Sequence, residues 1–125
     1  MKNVAKLILV FILSLGIFSC TKNKTGGSAE LKGKILHHGK PIPNAYVYVK
    51  FNTSEFPGDS YSSYDTYVEA DGNGNYSIPF YKGTYYIFAI GRDMDIAYPY
   101  KVQGGLSVSI RNNEKLEKDI AVTEN

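Results

Sequence analysis

Three groups of side chains in this sequence could do chemistry. Asp71, Asn73 and Asn75, in the run ADGNGNY, place oxygens at alternate positions in the D-x-N-x-N opening of a calcium loop. Position six of such a loop would be Tyr76, where glycine makes the sharp turn, and position twelve would be Lys82, where a bidentate glutamate belongs. An EF-hand is excluded, and a tight hairpin turn is expected, because Asp and Asn tolerate left-handed backbone and glycine adopts it freely. His37 and His38 are the only histidines. Neighbours on an extended chain point apart, so the pair reads as exposed turn residues and not as two ligands of one metal. The third group is Asp93 and Asp95 with Tyr98, and Glu55 with Asp59. All lie on irregular stretches and read as solvated loop charges; acid–base catalysis would need them gathered in one concave pocket. No G-x-S-x-G elbow is present for a serine hydrolase. The expectation is no catalytic residue, no metal and no cofactor.

The stronger functional signal is aromatic. The chain has 11 tyrosines and no tryptophan. If Tyr46 and Tyr48 share an exposed sheet face with Tyr86 and Phe88, they form a flat aromatic surface suited to stacking on sugar rings or docking a protein. The competing reading places several of them in the core or along a sheet edge, as is ordinary for strand tyrosines.

The elements that must position these residues are strands. From Glu30 onward the apolar pattern has period two, with turn signals every eight to twelve residues, which favours an all-β sandwich or barrel. Leu31, Gly33 and Ile35 form one face of a first strand, broken by His37-His38-Gly39-Lys40-Pro41. Ala45, Val47, Val49 and Phe51 alternate with Tyr46, Tyr48 and Lys50 in the cleanest strand. A polar loop, 52–63, leads to a strand over 64–70. The run ADGNGNYSIPFYKGTYYIFAI, 70–90, then supplies a central hairpin, with Tyr76, Ile78 and Phe80 on one strand and Tyr85, Ile87 and Ala89 on the next. An irregular segment over 92–105 precedes Leu106, Val108 and Ile110, and Leu116, Ile120 and Val122 make the last strand. The pattern predicts seven antiparallel strands and no long helix. No repeat of 20 to 50 residues points to a solenoid.

The first 19 residues have a different character. Lys2 and Lys6 form a basic n-region, and Leu7 to Phe18 is an apolar run too short for the roughly 20 helical residues that cross a bilayer. Ser19-Cys20 at its end resembles the lipobox of bacterial lipoproteins, in which the cysteine is acylated and becomes the mature N-terminus. The resemblance implies lipidation (palmitate) at Cys20, the sole cysteine, and anchoring through more than one acyl chain. Without Lys2 and Lys6 the 14 Lys and Arg fall to 12, equal to the 12 Asp and Glu. A neutral domain without a basic stripe argues against nucleic acid as a partner. The expected organisation is a signal helix at 1–19, a flexible tether at 20–29 and a sandwich domain at 30–125. The absence of acidic residues after Cys20 tilts the expected location toward the periplasmic face of the outer membrane.

LKGKI, GKPIPNAYVYV, ADGNGNYSI and YKGTYYIFA together resemble the carboxypeptidase regulatory-like domain, a transthyretin-like (prealbumin-like) Greek-key sandwich found in bacterial envelope proteins. The likeness covers about Leu31 to Ala89 and rests on Gly33, Gly39, Pro41, Ala45, Asp71, Gly72, Tyr76, Gly83 and Tyr85. It implies a fold and an adhesive or accessory role. The segment also looks like the opening of intradiol dioxygenases, but no histidine follows His38 to ligate iron, and the C-terminus AVTEN lacks the Tyr-Arg-Gly-Ser tail of transthyretin-like hydroxyisourate hydrolases. A Lys34–Glu69 isopeptide site lacks the acidic residue that such adhesin modules carry. The reading is therefore a lipid-anchored, non-catalytic binding or accessory module contacting an envelope protein or a glycan. Its alternative is an enzyme of unrecognised type using the loop carboxylates and tyrosines.

Overall fold

The structure, a computed structural model, describes residues 21–124; the expected signal segment and Cys20 lie outside the described residues. Alternating apolar residues build two packed sheets. In the first, the long strand β1 (Thr25–His37) runs antiparallel to β5 (Asn75–Phe80) and to the short β2 (Lys40–Pro41). The same β1 runs parallel to β8 (Lys115–Glu117) and β9 (Ile120–Ala121). The second sheet has the order β10 (Thr123–Glu124), β7 (Lys101–Ile110), β6 (Gly83–Arg92), β3 (Tyr46–Phe51) and β4 (Thr66–Glu69). The inward residues are those the alternation selects: Leu31 and Ile35, Val47 and Val49, Tyr76, Ile78 and Phe80, Tyr85, Ile87 and Ala89 are all buried. Each large aliphatic side chain withdrawn in this way contributes about 1.5–3 kcal/mol.

The all-β sandwich is as expected, with ten strand segments among the described residues in place of seven. The stretch read as one final strand is divided twice: β8 and β9 both lie on β1, on either side of Lys118-Asp119, and the chain then changes sheets to place β10 on β7. The break at Lys118-Asp119 is fixed by Lys118 N–H donating to the Lys32 carbonyl at 2.8 Å and Lys34 N–H donating to Asp119 Oδ1 at 2.9 Å. These pairings make the first sheet mixed, whereas the second is wholly antiparallel. Strand β7 begins at Lys101, inside the segment expected to be irregular, because it follows β6 residue for residue from Gly83–Ile110 to Arg92–Lys101.

The N-terminal end of the domain differs most. Thr25–Ala29 is already strand, so the expected flexible tether is largely part of the fold. Asn23 N–H donates to the Lys82 carbonyl at 2.8 Å, Tyr81 N–H to the Lys24 carbonyl at 2.8 Å, and Lys24 N–H to the Tyr85 hydroxyl at 2.7 Å. The chain after position 22 is thus stitched to the β5–β6 turn.

Between β4 and β5, Asp71 Oδ1 accepts the N–H groups of Asn73 and Asn75, both at 2.9 Å. The oxygen that suggested calcium therefore closes a turn. The Asn75 and then the Asn73 backbone bond hold the Asp71 carboxyl below its ordinary 3.8. A depressed pKa means that this turn stabilises the fold above the ordinary value and that its contribution is lost as pH falls through the lowered one. Thermal melts from pH 5 to pH 2 should show the wild type losing melting temperature more steeply than Asp71→Asn, which keeps the acceptor oxygen and does not titrate. Identical slopes would show that the turn carries no such linkage.

Candidate functional site: a tyrosine cleft

Outward positions of β3, β4 and β6 come into line through strand register. Tyr48 lies opposite Tyr67 on β4 and Phe88 on β6, and Lys50 lies opposite Tyr86. The ring centroids of Tyr48 and Tyr67 are 5.7 Å apart, those of Tyr46 and Tyr67 5.8 Å, and those of Tyr46 and Tyr48 6.3 Å. These are the spacings at which aromatic faces and edges attract.

The loop 52–65 folds back over part of this row. Tyr64 stacks on Phe88 at 5.7 Å with planes 9° apart, and Phe56 sits 5.3 Å from Phe88 and 5.6 Å from Tyr86. Tyr64 is itself pinned by its hydroxyl donating to the Gly58 carbonyl at 2.8 Å, and Asp65 Oδ2 accepts the Phe51 N–H at 2.8 Å. The expected flat face of Tyr46, Tyr48, Tyr86 and Phe88 is therefore corrected: Phe88 is buried and Tyr86 half-buried, because the loop's own aromatics cover them. The open aromatic surface is displaced toward β4. Tyr46, Tyr67 and Tyr61, the last on a single 3-10 turn (Tyr61–Ser63), are 45%, 58% and 73% exposed.

Together with Tyr48, Tyr64, Asp65 and Thr66 these residues line a cleft of about 380 Å³. Burial, and then the neighbouring tyrosines, push the Tyr48 hydroxyl above the ordinary phenol value; burial, then Tyr86 and Asp59, push Tyr64 well above it. Both stay neutral at any physiological pH. The cleft therefore presents uncharged hydroxyls at the rims of apolar rings, with a carboxylate at one side.

A second cluster forms beyond the Arg92–Lys101 end of the second sheet. His37 and Asp93 are the two buried polar or charged side chains among the described residues, 3% and 4% exposed. His37 Nδ1 lies 2.6 Å from Asp93 Oδ2, and Asp93 Oδ1 accepts from Lys40 Nζ at 2.5 Å and from the Asp95 N–H at 3.0 Å. Lys40 also bonds to the Asp95 carboxylate. Lys40, then His37, hold the Asp93 carboxyl well below the usual range, and Asp93 followed by Asp95 raises the Lys40 ammonium. The expectation that His37 is an exposed turn residue is corrected. It ends β1 on the inward side, and the exposed turn begins one residue later.

No protein-family model matches this chain, and no curated protein does. Among solved structures it is similar to a DUF3823 family protein from Parabacteroides merdae, at 17% identity and a TM-score of 0.47, over 78% of this chain and 47% of that one. The chain thus spans less than half the length of that protein, and a likeness at this level carries nothing about function.

The residues proposed from sequence for an acid–base site do not converge. Asp93 and Asp95 are tied to Lys40 beyond the Arg92–Lys101 end of the second sheet, whereas the loop bearing Glu55 and Asp59 leaves from the Phe51–Tyr85 end. Seven residue steps of β6, from Tyr85 to Arg92, separate those ends, about 23 Å of strand. Tyr98 is exposed. Sequence reasoning missed Tyr61, Tyr64 and Tyr67. Tyr67 was recoverable, because pairing β4 with β3 from the Ala70 turn puts it beside Tyr48, whereas Tyr61 and Tyr64 depend on how a long loop folds.

Proposed function

We propose that this chain is a lipid-anchored, non-catalytic binding module of the bacterial cell envelope, and that its ligand is a glycan held in the tyrosine cleft. The observation that carries the reading is the cleft itself. Five tyrosines line it: Tyr46, Tyr48, Tyr64 and Tyr67 are linked by ring contacts of 5.7–6.3 Å, Tyr61 stands beside them, and Tyr46, Tyr61 and Tyr67 are open to solvent, with Asp65 and Thr66 adjacent. A pyranose offers apolar C–H faces to aromatic rings and a rim of hydroxyls to polar neighbours, and this arrangement meets both. The same rings on a sheet that is already hydrogen-bonded lose little freedom on binding. The separation of the loop carboxylates favours binding over the enzymatic alternative.

Anchoring rests on the sequence before the domain. The apolar run Leu7 to Phe18 followed by Ser19-Cys20 supports lipidation, the lack of acidic residues just after Cys20 favours the periplasmic face of the outer membrane, and the chain between Asn23 and the β5–β6 turn is too closely bonded to act as a long leash. With Cys20 in a membrane, the Lys82-Gly83 turn faces the lipid and the module stands close to the surface.

Affinity electrophoresis through gels containing neutral polysaccharides tests the reading. Retardation by at least one glycan is expected, and Tyr67→Ala and Tyr61→Ala should each weaken it about tenfold, or 1.4 kcal/mol, with the melting temperature unchanged because both rings are largely exposed. Equal mobility of wild type and both variants in every gel would contradict it.

A further inference from the structure

We propose that His37, His38 and Glu124 form a binding site for a divalent, zinc-like cation, with Asp93 and Lys40 as its supporting shell. One ligand atom from each of the three lies within 4.8 Å of the other two. The arrangement follows from the turn. His38 and Gly39 both have positive φ, 51° and 79°, as a two-residue hairpin loop of the primed type requires, and they join β1 to β2 at the pair His37–Lys40. Left-handed backbone at His38 removes the up–down alternation that would separate neighbouring side chains, and the two imidazole rings stand 4.3 Å apart. Glu124 arrives from a different direction, on β10, held against Val102 of β7.

Three further observations point to an ion and not to a chance grouping. The Nε2 atom of the buried His37 finds no hydrogen-bond partner among the described residues. It is directed at Glu124 Oε1, 3.5 Å away, too far for a good hydrogen bond. Two ligands of a tetrahedral zinc ion at metal distances near 2.0–2.1 Å are about 3.3–3.4 Å apart, so this separation fits the edge of such a site. The other ring nitrogen is placed as in metal-binding histidines: Nδ1 lies 2.6 Å from the Asp93 carboxylate, which in the neutral ring puts the lone pair on Nε2, and Asp93 is in turn held by Lys40.

Two imidazoles and one carboxylate suit zinc and related borderline ions and are a poor set for calcium or magnesium, which take oxygens. Glu124 and His38 are exposed, so the ion enters from solvent and the remaining coordination position is open to water or an outside ligand. Binding would tie the β1–β2 turn of the first sheet to the last strand of the second.

The test is calorimetric titration of the tag-free, chelator-treated full-length chain in detergent micelles with Zn²⁺ alone, and spectroscopic titration with Co²⁺. One equivalent of Zn²⁺, a higher melting temperature with the ion, and visible Co²⁺ bands of low coordination number are expected. His38→Asn keeps a residue that accepts left-handed backbone, and Glu124→Gln keeps shape; each should weaken Zn²⁺ binding roughly tenfold or more. Asp93→Asn should weaken it about 10–100-fold through the orientation of His37. Unchanged melting temperatures of the ion-free His38 and Glu124 variants separate a lost ligand from a damaged fold. Failure of the wild type to take up a saturable equivalent, or uptake indifferent to both substitutions, would overturn the site and leave His37 as a buried partner of two carboxylates.

Discussion

Replacing Gly33 with valine is expected to lower the unfolding free energy by about 3–5 kcal/mol, enough to unfold much of a marginally stable domain. The reason is backbone against backbone. A Cβ built on Gly33 would lie 1.9 Å from the carbonyl oxygen of Lys118. That carbonyl also accepts the Tyr76 hydroxyl at 2.6 Å, and the neighbouring Lys118 N–H bonds to Lys32, so the segment between β8 and β9 cannot retreat without giving up the contacts that hold the chain's last third on β1. No flexible side chain is available to move aside. Chemical denaturation followed by circular dichroism reads the effect directly. A loss below about 1 kcal/mol, the range of an ordinary surface substitution, would mean that the β8–β9 connection is not seated on β1 as described.

Tyr85→Ala comes second, at about 3–5 kcal/mol, and the conservative Tyr85→Phe divides that loss into parts. The ring is fully buried, 4.3 Å from the Phe80 ring and 6.1 Å from Phe51, so alanine leaves a large cavity between the sheets. The hydroxyl does separate work. It donates to the Tyr81 carbonyl at 2.6 Å and accepts the Lys24 N–H at 2.7 Å, joining the incoming chain to the β5–β6 turn. Burial pushes this phenol upward, so it remains a neutral donor throughout the accessible pH range. Phenylalanine should cost about 1–3 kcal/mol by leaving those two groups unpaired, and should raise hydrogen exchange at Lys24 and Tyr81 above the rest of the sandwich. A neutral Tyr85→Phe with unchanged exchange would show that the segment before β1 is held by something else.

What could be read from the sequence is what alternation controls. Val47 and Val49, Tyr76, Ile78 and Phe80, and Tyr85, Ile87 and Ala89 each repeat every second residue between turn signals, and each set is buried as that period requires. The close approach at Gly33 belongs to the same pattern and fell on a hallmark position. Residues whose environment is set by distant partners were not legible. Polar Thr25 to Ser28 looked like tether because nothing local says that Lys24, Asn23 and Tyr81 will bond. The final segment looked like one strand because the break at Lys118-Asp119 depends on β1 and the change of sheet after Ala121 depends on β7. His37 looked exposed because its burial comes from Asp93, 56 residues away, and the pairing with His38 needs a positive φ that composition does not announce.

The aromatic face shows both sides of this. Tyr46 and Tyr48 were legible as outward neighbours, and the idea of an aromatic surface survives in its general form. Its composition does not, since Phe56, in the stretch read as a polar loop, and Tyr64, read as the start of a strand but still in the loop, lie over Phe88 and so move the open part to Tyr61 and Tyr67.

The measurement that bears most directly on this account is a two-dimensional NMR titration of the isotopically labelled full-length chain, in detergent micelles, with short neutral oligosaccharides. A glycan-binding module of the kind proposed gives saturable shifts confined to Tyr46, Tyr48, Tyr61 and Thr66-Tyr67, with little change on β1, β5 or the His37 end. Saturable shifts centred on the first sheet, or none with any oligosaccharide, would contradict it.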